Sequence, residues 1–227
     1  MFFFQFRDVV LPGFDNILQF TETQINWAFI TANAGMSAST NPAIEPIKQR
    51  LLGYRYLAAD IPPVDASGVY VLFLIEPFAL PSITPGPFGV LYVGMTESSL
   101  EVRNHFAHEH SGFSTLRRSL GALLKHELQL KAIPRSAGPS KSNITNFRFP
   151  DDDERRLTRW IEDHLAYGFA PVNHDVRAVE RYLIAELKPP LNLTALYDWR
   201  NPDLAMIRRL RDECRKEAAL VTHSTSI

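Results

Sequence analysis

Seven consecutive apolar residues, Val69 to Ile75 (VYVLFLI), impose the tightest constraint on how this chain can fold. The run is rich in β-branched and aromatic side chains and comes directly after Ser67-Gly68, so it reads as a strand entered from a turn. It is the longest uninterrupted apolar run, and it falls far short of the ~20 residues that a bilayer-spanning helix needs. A proline-rich connection from Pro77 to Pro87 leads to a second β-type run, Val90–Val93, which stops at Gly94. Two such runs joined by a proline-rich loop predict an antiparallel pair with the loop at a solvent-exposed end.

Helical patterns dominate the chain beyond Gly94. Ser98 or Ser99 can cap a helix running to about His110, and Ser114 or Thr115 a longer one with Leu116, Leu120, Leu123, Leu124 and Leu128 on one face. Residues 134–144 read as a polar loop, and Thr145–Phe149 alternates toward a short third strand. Asp151–Asp153 opens a helix with Leu157, Trp160, Ile161 and Leu165 at helical spacing, its acidic start suiting the helix dipole. Another helix spans about Asp175–Leu187 before Pro189-Pro190, and an amphipathic one begins at Asn201-Pro202 with Leu204, Ile207, Leu210 and Cys214 as its stripe. Ahead of all this, a strand at Gln5–Leu11 and a helix at Ile44–Leu52 are the features expected before Pro62-Pro63. Three short strands among helices predict an α+β fold, a small three-stranded antiparallel sheet flanked by helices.

Composition sets the outer bounds. At 227 residues, 45% hydrophobic and 22% charged, the chain has an ordinary globular balance and enough length for one full domain with appended pieces. A net charge of −1 excludes binding to nucleic acid through bulk charge, so any such contact needs a local patch. Residues 91–150 supply one, with eight Lys or Arg against four Glu, no Asp, and four histidines. The single cysteine, Cys214, excludes an intramolecular disulfide and a cysteine-based zinc cluster, which fits a reducing, cytoplasmic compartment. The opening MFFFQFRDVV lacks a basic leader, and Gln5, Arg7 and Asp8 interrupt it, so a soluble chain without a signal peptide is expected.

Two helical positions stand out on physical grounds. At about 100° per residue, Glu180 falls among Val179, Leu183, Ile184 and Leu187, while Arg177, Arg181 and Lys188 lie away from that face. A carboxylate among core positions needs a cation or metal as partner. Arg103 falls between Phe106 and Ala107 on its own helix, at a core edge where its stem can pack and its planar fork can meet two phosphate oxygens. Tyr70 and Tyr92 each sit in an apolar strand, where packing alone accounts for an aromatic ring. Asn192 accounts for itself as a turn residue after the prolines.

Taken together, GVY at 68–70, YVG at 92–94, Arg103, Glu180 and PPLN at 189–192 resemble the GIY-YIG nuclease family. Each tripeptide differs from the family's name motif only by Val for Ile. GFSTLRRSLGALL at 112–124 is similar to a segment of one bacterial branch. The resemblance divides the chain into an N-terminal extension (1–66), a nuclease-like domain (67–195) and a C-terminal amphipathic helix and tail (196–227). It implies a DNA endonuclease that uses one divalent cation, Mg2+ or another such as Mn2+, held by Glu180. Tyr70, its pKa lowered by nearby positive charge, would serve as general base, Arg103 would meet the phosphate, and Asn192 would contact phosphate or the metal's shell. Tyr92 and a histidine would orient the water or relay its proton. The family's histidine commonly lies four residues after the arginine, where this chain has Ala107. His105, which precedes Phe106, is preferred; His110 is the alternative, sharing Arg103's face if the helix runs that far. The displaced histidine keeps open a nucleic-acid-binding module with reduced or no turnover. DNA is the expected partner, with no membrane.

Overall fold

The computed structural model describes residues 43–103, 106, 110–137, 140–194 and 200–224, so the expected strand at Gln5–Leu11 lies outside the described residues. In chain order the elements are α1 (Glu45–Gly53), β1 (Gly68–Leu74), β2 (Val90–Thr96), α2 (Thr115–Leu123), α3 (Lys141–Thr145), α4 (Asp151–His164), β3 (Leu165–Pro171), α5 (Val176–Leu187) and α6 (Leu204–Ser224). The strands form an antiparallel sheet in the order β2-β1-β3. The apolar run is therefore the central strand. All seven residues of β1 are buried, because helices cover both faces of the sheet. Among the described residues no helix is long and apolar enough to cross a membrane.

Strand alternation sorts the core into two layers. Val69, Val71 and Phe73 face α1 and α5, packing with Leu51, Val179, Leu183 and Ile184. Tyr70, Leu72 and Leu74 face the opposite way, with Leu116, Leu120, Leu157 and Ile161 of α2 and α4. The C-terminal helix α6 joins this second layer through Ile207, Cys214 and Ala218 and packs on α2. Both outer edges of the sheet are occupied, which removes the open hydrogen-bonding rows that promote aggregation. Tyr56 and Tyr167 exchange backbone hydrogen bonds at 2.8 Å along β3. Along β2, Leu191 N–H donates to the Leu91 carbonyl at 3.0 Å.

Three expectations need correction. The third strand is Leu165–Pro171, not Thr145–Phe149. Phe147 and Phe149 do point alternately into the core, but that stretch makes an isolated bridge, Ile133 with Arg148, and Lys141–Thr145 is a short helix. Leu165 continues the four-residue spacing of Leu157 and Ile161, so the helical stripe runs past the point where the backbone turns extended. The helix expected from Ser98 or Ser99 is, in its described part, one turn: Arg103 N–H reaches the Ser99 carbonyl at 3.1 Å. The α2 helix is also shorter than its leucine pattern suggests, ending at Leu123, with Ser114 as its cap.

One buried carboxylate fastens this layer. Glu154, in the first turn of α4, accepts from Ser111 N–H at 2.8 Å, Ser111 Oγ at 2.9 Å and Phe149 N–H at 3.1 Å. Arg117 Nη2 of α2 donates to it at 3.0 Å, and both side chains are almost fully buried. An ion pair so deep repays its desolvation better the more of its polar atoms are satisfied. The two Ser111 bonds and the Phe149 bond do this for the carboxylate, whereas on the arginine only Nη2 is engaged, also with Thr158 Oγ1 at 2.8 Å, and Nε and Nη1 have no partner among the described residues. Ser111 ends the connection that begins at Leu100 and Glu101, whose N–H groups donate to the Ala66 and Val64 carbonyls at 2.9 and 3.0 Å. The Arg103 segment is thus tied down at both ends.

The glycine of the YVG tripeptide has a packing reason. Gly94 lies opposite Tyr70, and a Cβ there would sit 2.4 Å from the Tyr70 hydroxyl oxygen and ring. Only a residue with no side chain lets the buried phenol lie across β2.

Glu154→Ala leaves the Arg117 guanidinium buried without its counter-charge, so it is expected to lower stability by ~3–5 kcal/mol; chemical denaturation measures this, and a loss below ~1 kcal/mol would contradict the role given to the pair. Gly94→Ala forces the Tyr70 ring from a filled site and is expected to cost ~1–3 kcal/mol, with a changed tyrosine environment in near-ultraviolet circular dichroism.

Candidate active site

Pairing in β1 and β2 brings the two motif tyrosines to the same face of the sheet. Leu72 lies opposite Tyr92 and Tyr70 opposite Gly94, so the two rings become diagonal neighbours with centroids 6.2 Å apart. Tyr70 is completely buried and Tyr92 half-buried, so Tyr92 occupies the solvent side of the pair. A third tyrosine, missed in the sequence, completes the group. Tyr167 of β3 stacks on Tyr70 at 5.6 Å, its hydroxyl is buried without a hydrogen-bond partner among the described residues, and burial pushes its pKa well up. Correct placement of β3 was the signal that could have found it, because Tyr167 pairs with Leu72 and so shares Tyr70's face.

Arg103 reaches this group from the tied-down connection. Its charge acts on both the Tyr70 hydroxyl and the Glu180 carboxylate and pulls the pKa of each downward, while the residue as a whole stays exposed. The expectation that positive charge lowers the Tyr70 pKa meets a stronger opposing effect. Burial, with Tyr92 and Tyr167 nearby, raises it well above the ordinary phenol value, and Arg103 only partly offsets this. Tyr70 is consequently a neutral phenol at neutral pH.

The histidines divide. His105, together with Ala107 and His108, lies outside the described residues. His110 is exposed and lines a cleft of about 520 Å³ with Phe106, Arg155, Thr158 and Arg159, one to which Tyr70, Tyr92, Arg103 and Glu180 do not contribute. Phe106 itself is buried, edge-on to Tyr167 at 6.3 Å, which ties the histidine-bearing segment to the tyrosine stack.

Helix α5 buries Val176, Val179, Leu183, Ile184 and Leu187 against the sheet and carries Glu180 half-buried at the margin of that face. Lys48 of α1 bonds Glu186 at 2.6 Å and fixes the helix from outside. Partial burial raises the Glu180 pKa, opposed by Arg177, Arg181 and Arg103. Arg177 does not neutralise it, since its guanidinium is held bidentately by Glu97 at 2.8 and 3.0 Å. Among the described residues the Glu180 carboxylate forms no ion pair. A partly desolvated carboxylate with no fixed cation suits a divalent ion, and Mg2+ needs only one or two protein carboxylates beside waters and phosphate oxygens. No group of three or more His, Cys, Asp or Glu gathers among the described residues, and Glu180 is the residue of this site that could hold a metal.

Asn192 does different work from that implied by the resemblance. Its Oδ1 accepts from Val93 N–H at 2.9 Å and its Nδ2 donates to the Val93 carbonyl at 2.8 Å. The carboxamide imitates a paired strand along the outer edge of β2, next to Tyr92. In this way the chain leaving α5 is locked to the strand that carries the second tyrosine.

The family model for the GIY-YIG catalytic domain matches residues 81–216, which include Tyr92, Arg103, Glu180 and Asn192 and reach into α6; Tyr70 lies just ahead of the matched span. No curated protein and no solved structure matches the chain. With more than half of its length covered by that model and the three-stranded antiparallel sheet flanked by helices in place, this chain belongs to the GIY-YIG nuclease family.

Proposed function

We propose that the protein is a divalent-metal-dependent endonuclease that hydrolyses DNA phosphodiester bonds. The observation that carries this reading is the position of Arg103, whose charge acts on both the buried Tyr70 hydroxyl and the Glu180 carboxylate, which forms no ion pair among the described residues. A phenol and a carboxylate under the charge of one guanidinium suit in-line attack of water on phosphorus.

In this reading Glu180 holds one Mg2+ or Mn2+, which when bound polarises a phosphate oxygen and stabilises the leaving 3′ oxygen. Arg103 presents its fork to the non-bridging oxygens and offsets the charge that grows on them. The neutral Tyr70 hydroxyl, under the charge of Arg103, is assigned to accept a hydrogen bond from the attacking water and fix its direction. Full transfer of the proton requires the phenolate, which Arg103 favours and burial opposes. Tyr92 and His105 are assigned to orient the water or relay its proton toward solvent. Asn192 acts through Val93, setting the distance between β2 and α5.

A second reading, binding of nucleic acid without turnover, draws on Ala107 at the family's histidine position and on the strongly buried Tyr70. Incubation with supercoiled plasmid and Mg2+ separates the two: a nuclease nicks the plasmid, whereas a binder only retards it.

Glu180→Ala is expected to abolish nicking while the melting temperature stays level or rises, because a desolvated charge is removed without opening a large cavity; cutting at the wild-type rate would dismiss Glu180 as the metal ligand. Tyr70→Phe keeps the ring and its packing but removes the hydroxyl. Turnover should fall ~10²–10⁴-fold with DNA affinity nearly unchanged, and equal rates in single-turnover assays would leave Tyr70 as a core residue only.

A further inference from the structure

Helix α6 places arginines at 208, 211 and 215, spacings of three and four that put them on one helical face. Together with Leu193 and Asp212 they line a cavity of about 260 Å³. Arg211 is only 7% exposed, and its Nη1 donates to Ser119 Oγ at 3.2 Å, but its Nε is buried with no partner among the described residues. Arg118 of α2 stands close enough to act on Arg211 electrostatically, and Arg215 acts on both. Asp212, the acid that lines the cavity beside them, is already paired with Arg215. Burial and this mutual repulsion hold Arg211 and Arg118 down to about 10, so both remain charged at neutral pH.

A buried guanidinium with an unused N–H, surrounded by like charge, is costly as it stands. An anion that offers several oxygens satisfies the donors and balances the charge, and a phosphate group matches the guanidinium fork. The cavity's place in the fold indicates the source of that phosphate. Its wall residue Leu193, whose carbonyl accepts from Arg208 Nη2 at 3.3 Å, directly adjoins Asn192, the residue clamped to β2 beside Tyr92.

We infer that the cavity formed by Arg208, Arg211, Arg215 and Leu193 is a second phosphate subsite, which grips the nucleic-acid backbone apart from the scissile position. This rests on the DNA-cleaving reading and deepens it: the substrate is held at two points, one on each side of the Asn192 clamp.

The test measures binding of a short labelled duplex in EDTA, as a function of salt, by wild type and by the Arg208→Gln/Arg215→Gln double variant. Each neutralised phosphate contributes about 0.9 to the slope of log affinity against log salt, so the variant's slope should be shallower by about one. Equal slope and affinity would overturn the subsite. Arg211→Met, which replaces the poorly satisfied buried charge by an apolar chain of similar reach, should bind DNA more weakly yet melt no lower than wild type. A clear drop in its melting temperature would show that the fold itself satisfies Arg211, and would also overturn the subsite. If inorganic phosphate raises the melting temperature of wild type but not of the double variant, and the DNA slopes are equal, the cavity takes a free anion and the nucleic-acid assignment fails. Plasmid nicking in Mg2+ keeps the two proposals apart. A wild type that nicks while the slopes are equal loses only the subsite. One that shows the slope difference but never nicks loses only the nuclease reading, and one that binds no duplex loses both.

Discussion

Four donors converge on the carboxylate of Glu154, and much of the molecule's second layer is organised around that point. The interaction joins α4, α2, the approach to α4 at Phe149 and the end of the connection that carries Arg103. Without it Arg117 would be a naked charge in the core, and Ser111 would lose its mooring. The sheet alone could place two tyrosines on one face. It could not hold an exposed arginine against one of them, because Arg103 belongs to a turn closed by its backbone bond to Ser99. Rigidity is supplied from a distance by a residue with no expected part in the chemistry, in keeping with the need for a reacting group to be held by its surroundings.

The electrostatics of the tyrosine pair arise from the same packing. Stacking Tyr167 on one side and laying the ring across Gly94 on the other buries the Tyr70 ring, and that burial outweighs the nearby guanidinium. A site that favoured ionisation would expose the phenol. This one instead favours a fixed, neutral hydroxyl, which places the emphasis on orientation rather than on a pre-formed base.

Much of this could be read from the residues. The apolar run from Val69 marked a strand, Asn201-Pro202 announced α6, and the spacing in α5 set Glu180 in the middle of the apolar face, where the structure has it half-buried at the margin. What escaped had physical causes. Leu165 satisfied a helical period while its backbone was already extended, so β3 was displaced to a segment whose phenylalanines alternate without a strand partner, and Tyr167 was lost with it. Asn192 does close a turn, its N–H reaching the Pro189 carbonyl at 3.2 Å, but its side-chain bonds go to the backbone of Val93, nearly a hundred positions earlier, and no local pattern encodes such a partner. The sign of the Tyr70 shift needed three neighbours from three different segments, only one of which is charged.

The missing side chain at Gly94 has a consequence for how the protein can vary. Tyr70 and Gly94 occupy one volume, divided so that the first takes all of it and the second none. A methyl group at 94 becomes admissible only alongside a smaller ring or a shifted strand at 70, and a changed ring at 70 leaves a void over 94. The two tripeptides are therefore one unit written in two places, and substitutions in either should show strong non-additivity with the other. Drift at one position alone is closed off by steric exclusion before chemistry has any say.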